Sequence, residues 1–127
     1  MNLYPLKFTP IPKYRMWAGD KLNTVLNKAF KQQQVGESWE ISDIKDQQTL
    51  VANGSLIGKT LKELISTYQS DLAGKNVYDR FGADFPLLIK FIDAKTPLSI
   101  QVHPHDHVAK ERHDSFGKNE EYYLKSQ

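Results

Sequence analysis

Four histidines and a run of carboxylates crowd the segment SIQVHPHDHVAKERHDSFGKNEEYY, residues 99–123, and no histidine precedes it. Gln101 and His103 lie two apart in TPLSIQVHP, a segment that reads as a strand. On a strand that spacing sends both side chains off one face together with Ser99, while Leu98, Ile100 and Val102 turn to the other. NEEYYLK reads as a last strand, and with Lys118 just before it Lys118 and Glu120 alternate onto one face while Glu121 faces away. One imidazole, one carboxylate and one amide oxygen suit a borderline divalent metal such as zinc, with a position left for substrate or water. A polar stripe backed by an apolar one also occurs on any half-exposed strand, so the spacing alone leaves a plain solvated face as the alternative. His105, His107 and His113 follow Pro104 and share their stretch with Lys110, Glu111 and Arg112, so they read as surface rather than ligands.

A second feature lies upstream. FPLLIKFID is an apolar run interrupted by Lys90. A charge inside such a run is paired, functional, or snorkels from a strand edge, and the run by itself is compatible with each.

The totals restrict the chemistry. The chain has 127 residues, enough for one domain with a modest core. It has no cysteine, which removes disulfides, thiol chemistry and thiolate zinc sites. Seventeen Lys and Arg against fifteen Asp and Glu leave a net charge of +2, scattered singly, with no basic block to suit nucleic acid. Prolines interrupt MNLYPLKFTPIPKYRMW where a signal peptide needs an apolar core, and no apolar run reaches membrane-spanning length. The expectation is a cytoplasmic protein with neither nucleic acid nor membrane as partner.

Elements must position these residues. Pro5, Pro10 and Pro12 forbid a regular helix over 3–13 and suit an extended lead-in strand. Leu22, Val25, Leu26 and Phe30 approach helical spacing and predict a short helix. GESWEISDI reads as a strand, and QQTLVANG as its partner, closed by the Asn53-Gly54 turn. Thr60 and Glu63 match a capping box, with Leu61, Leu64, Ile65 and Tyr68 on one helical face. FPLLIKFID predicts a strand buried on both faces. Asp106 is placed to cap a short helix over HVAKERH. The balance is mainly β with a few helices, as in a sandwich or small barrel.

At these residues the chain resembles the type I mannose-6-phosphate isomerases, zinc enzymes of the cupin superfamily. FPLLIKFIDAKTPLSIQVHP followed by GKNE is similar to the family's Pro-Leu-Leu-x-Lys, Leu-Ser-x-Gln-Val-His-Pro and Gly-Lys-Thr-Glu series. WAG at 17–19, GESWEIS at 36–42 and the proline-rich start match its earlier motifs in order. The resemblance implies a cupin-like jelly-roll barrel, incomplete in this chain, and zinc held by Gln101, His103 and Glu120. It implies that Trp17, Glu37, Lys90, Ser99 and Lys118 line a pocket for a phosphorylated hexose, with Glu37, Lys90 and Lys118 in catalytic roles. Asn119 stands where the family has Thr, and Glu121-Tyr122 where an apolar residue and Trp are common. Family members run to more than twice this length, and their fourth zinc ligand, a histidine, and an active-site arginine come from beyond the equivalent of Gln127. The chain is therefore expected to be the N-terminal part of an aldose–ketose isomerase acting on mannose 6-phosphate and fructose 6-phosphate, inactive in isolation. The competing expectation is a non-catalytic cupin-like module that binds sugar or self-associates through exposed strand edges.

Overall fold

The computed structural model describes residues 2–98. The N-terminal prolines keep the chain extended, and it forms β1 (Phe8–Thr9) and β2 (Ile11–Tyr14) either side of Pro10. A four-residue helix, α1 (Lys21–Thr24), leads by a long loop to β3 (Val35–Ile41). Next come β4 (Leu50–Val51), a 3-10 turn (Gly54–Leu56) and α2 (Leu61–Tyr68), then α3 (Ser70–Ala73), α4 (Lys75–Phe81) and β5 (Ile89–Ile92). Met1–Pro97 make one compact unit. The strands form two antiparallel sheets, β1-β4 and β2-β3-β5, and neither closes on itself among the described residues.

The capping box forms as expected. The Thr60 hydroxyl accepts from the Glu63 amide at 3.2 Å, and the Glu63 carboxylate accepts from the Thr60 amide at 2.9 Å. Leu61, Leu64 and Ile65 are buried on the inner face of α2, each contributing on the order of 1.5–3 kcal/mol. Leu64 packs with Val51 and Leu56 beneath Tyr4, Leu6, Phe8, Tyr68 and Leu72. The lead-in is anchored there: the Tyr4 hydroxyl donates to the Asn53 carbonyl and accepts from the Leu56 amide, both at 2.8 Å.

Three expectations are corrected. The helix foreseen after Trp17 stops at Thr24, because the Asn23 side chain clasps both backbone groups of Phe30 at 2.8 Å and so competes with helical hydrogen bonding. Asn27 and Ala29 then take positive φ. β4 pairs with β1, not β3, since both edges of β3 are already occupied by β2 and β5. Only Thr49, just before β4, stays with the end of β3, accepting from the Ser42 amide at 3.0 Å. Finally, β5 is not buried on both faces: Ile89 and Phe91 are 45% and 47% exposed. Within the described residues it is an edge strand, and only the side bearing Lys90 and Ile92 is partly covered. The segment read as a strand over 96–104 lies outside the described residues from Ser99 on, as do the strand read over 119–125 and the helix after Asp106.

Candidate functional site

Alternation along β3 places Val35, Glu37 and Trp39 on one face. Register then decides their neighbours. Lys13 lies across from Glu37 and Ile11 across from Trp39 on β2, while Lys90 lies across from Trp39 and Ile92 across from Glu37 on β5. Between Lys13 and Tyr14 the register shifts by one residue opposite Gly36, and the Arg15 amide donates to the Gln34 carbonyl at 2.9 Å. Arg15 thus stands opposite Gln34, and its guanidinium reaches along the face to Glu37.

The result is a carboxylate held from three directions. Glu37 is 5% exposed. Its Oε2 accepts from Arg15 Nη2 at 2.6 Å and from Trp39 Nε1 at 3.1 Å, and its Oε1 accepts from Lys90 Nζ at 3.0 Å. Burial pushes the Glu37 carboxyl up, but donation from Lys90 and Trp39 and the charges of Lys90 and Arg15 outweigh it and leave the group below its ordinary value of 4.5. Lys13 Nζ sits 4.4 Å over the Trp39 ring and donates to Gln47 Oε1; Lys90 Nζ approaches the same ring at 6.0 Å. Among the described residues no buried side-chain nitrogen or oxygen lacks a partner.

Trp17 reaches the same place by a different route. Its carbonyl accepts from the Lys95 and Thr96 amides at 2.8 and 3.2 Å, beside the Ala18–Ala94 bridge that ties the Trp-Ala-Gly turn to the end of β5. Its ring lies on Gly36. A Cβ there would stand 2.7 Å from Trp17 Cζ3 and 2.6 Å from Arg15 Cβ, so only glycine leaves room. Gly19 serves the same turn, since a Cβ would meet Asp93 Oδ2 at 2.6 Å, the oxygen that accepts from the Lys21 amide at 2.7 Å.

Of the residues expected at the site, Glu37 and Lys90 are therefore paired, and Trp17 lies next to them on Gly36 and Arg15. Ser99, Gln101, His103, Lys118 and Glu120 lie outside the described residues, as do His105, His107 and His113. Among the described residues no group of three or more His, Cys, Asp or Glu side chains could hold a metal. None of the described helices is long and apolar enough to cross a membrane. Sequence reading passed over Lys13 and Arg15. The available signal is two cations two residues apart on an extended segment, a spacing that puts both side chains on one strand face.

This geometry has known relatives. Residues 16–126 match the family model described as phosphomannose isomerase type I, catalytic domain. The chain is 36% identical over 122 residues to the probable mannose-6-phosphate isomerase GmuF of Bacillus subtilis, covering 95% of this chain and 37% of that protein. The crystal structure of a mannose 6-phosphate isomerase from Bacillus subtilis matches with a TM-score of 0.77 at 34% identity, over 89% of this chain and 35% of the other. A Salmonella typhimurium mannose 6-phosphate isomerase bound to substrate and zinc matches with a TM-score of 0.67 at 28% identity, over 84% and 27%. The chain thus spans a little over a third of the length of the curated relatives it matches. The fold is that of the phosphomannose isomerases, a cupin whose sheets do not close among the described residues. The chain belongs to the type I phosphomannose isomerase family and corresponds to its N-terminal part.

Proposed function

We propose that this chain supplies the N-terminal part of a zinc-dependent isomerase that interconverts mannose 6-phosphate and fructose 6-phosphate. The observation that carries the reading is the buried Glu37 clamped between Lys90 and Arg15 beside Trp17, a polar cluster that a sheet needing only stability would replace with apolar packing. Aldose–ketose isomerisation moves a proton between C1 and C2 while negative charge grows on an oxygen. Lys90, fixed by Glu37, is a preorganised cation for that charge. Both Glu37 oxygens are occupied by donors and its proton affinity is depressed, so we assign it the holding of Lys90 and not the carrying of the proton.

Gln101, His103 and Glu120 would hold zinc, with a fourth ligand from outside this chain. Their donors, an amide oxygen, an imidazole and a carboxylate, are of the types that zinc accepts. Bound zinc would polarise the C1 and C2 oxygens as a Lewis acid. Ser99 and Lys118 would complete the pocket around the sugar phosphate. Leu87, Ile89 and Phe91, exposed along β5 and its approach, favour one second reading, a self-associating module without catalysis.

A fusion of residues 1–127 to the remaining part of the Bacillus subtilis isomerase of known structure separates the two. A folded, zinc-loaded fusion should turn over mannose 6-phosphate in a coupled assay and lose about a hundred-fold or more in kcat on Lys90→Ala. A folded fusion that binds zinc and shows no turnover would sink the isomerase reading.

A further inference from the structure

Three cations meet on the Glu37 face of the β2-β3-β5 sheet, and among the described residues a single carboxylate serves them. Glu37 pairs with Arg15 and Lys90. Lys13, directly across from Glu37, has only neutral partners there, the Gln47 amide oxygen and the Trp39 ring. Partly buried cations gathered this closely repel one another and have given up hydration, so the patch attracts a counter-charge. It is also reachable from solvent. The Arg15 side chain is 36% exposed, and its Nη1 is spent only on the neighbouring Tyr14 carbonyl at 2.7 Å.

We propose that Lys13 and Arg15 form an anion subsite at the C-terminal end of β2 that takes the phosphomonoester of the sugar phosphate. The place of the subsite comes from the β2 cations, while the kind of anion rests on the isomerase reading above. A phosphomonoester brings roughly −1.5 to −2 charges at pH 7 and three acceptor oxygens. Arg15 Nη1, held only by the neighbouring Tyr14 carbonyl, can turn to one of those oxygens while Nη2 stays with Glu37, and Lys13 adds a compact point charge beside it. Glu37 has a separate duty in this arrangement. Its one negative charge is shared between Arg15 and Lys90, so the patch stays net positive among the described residues, with Lys13 as the cation that has no carboxylate partner there.

The chain itself can be tested by titration with inorganic phosphate, mannose 6-phosphate and mannose, following the Trp39 indole N–H by NMR, since that group donates to Glu37 inside the cluster. Both anions should shift the resonance and mannose should not. Lys13→Gln should weaken both anions about tenfold, the size expected for losing one charge-assisted contact. That variant breaks no ion pair among the described residues and gives up the Gln47 hydrogen bond and the Trp39 ring contact, so a cooperative melt confirms that it is folded before its binding is compared. Arg15→Gln should weaken them at least as much, with partial recovery in Arg15→Lys, and Lys75→Gln on the α4 surface should change nothing. If inorganic phosphate binds as tightly as mannose 6-phosphate and Lys13→Gln weakens both, the subsite stands and the hexose reading falls. If mannose 6-phosphate binds equally well to the parent, Lys13→Gln and Arg15→Gln, the hexose reading stands and the subsite is overturned. Failure of either anion to bind the parent overturns the subsite as well.

Discussion

Glu37 is the residue on which the described face turns, because a buried carboxylate is tolerated only while its donors stay in place. Its folded-state pKa lies below its ordinary 4.5, and the unfolded chain keeps the ordinary value. Between the two the unfolded state binds more protons, so the cluster's stabilisation is complete above 4.5 and is lost as pH falls through the folded value. Urea midpoints should therefore drop more steeply below pH 4.5 for the parent than for Glu37→Gln, and run parallel above about pH 6. Parallel curves throughout would remove the pairing from the stability account. Gly36 gives a second prediction. Gly36→Ala drives a methyl group into Arg15 Cβ and the Trp17 ring, neither of which can swing clear without disturbing the site. The expected cost is about 1–3 kcal/mol in a urea melt, and a change within error would show that the strand shifts freely. At this scale the sequence was informative where a residue broke its pattern. Lys90 stood out in an apolar run and proved to be paired, whereas Arg15 broke no pattern and needed the register to be noticed.

At the scale of elements, local signals were read where the physics is local. The α2 capping box closes within four residues, so Thr60 and Glu63 were legible and correct. Thr60→Ala should cost about 1 kcal/mol, seen as a lowered thermal midpoint, with Thr60→Ser close to the parent. The α2–α3 junction makes a further prediction. Gln69 has φ 52° and ψ −126°, a conformation that a side chain disfavours and glycine does not. Gln69→Gly should stabilise the chain by about 1 kcal/mol despite the flexibility glycine adds to the unfolded state; a loss would mean that the side chain is held by contacts worth more than the strain. Strand partners were the part not legible. QQTLVANG has the composition of a hairpin partner for β3, and nothing local in it reveals that β2 and β5 have already filled both edges. The short helix expected within 17–30 forms as α1 but ends early for a similar reason, since the grip of Asn23 on Phe30 is a side-chain contact that periodicity does not record.

For the whole molecule, the family was legible because its motifs run in order along nearly the full chain, and residues 16–126 match the family model. What composition and periodicity alone gave was coarser, a mainly β protein with a few helices. The chain spans about 37% of its relative GmuF, and a centre built from several parts of such a protein loses several preorganised groups together. Each such group is worth roughly a hundred- to thousand-fold in rate. Mannose 6-phosphate turnover by the 127-residue chain should accordingly fall at least a thousand-fold below that of a full-length relative under the same zinc. Turnover within tenfold of the relative would show that this part suffices by itself.

The order of strands across the β2-β3-β5 sheet also sets a timetable for the ribosome. β3 meets β2 almost as soon as it emerges, but its other edge waits for β5, and Lys90 follows Glu37 by 53 residues. At about 5–20 residues per second that interval is roughly 3–10 s, during which a nascent chain holds Glu37 with Arg15 alone among its two charged partners and presents an open strand edge to whatever passes. Synthesis that pauses anywhere in the helical stretch from Leu61 to Phe81 lengthens the time for which that edge stays open.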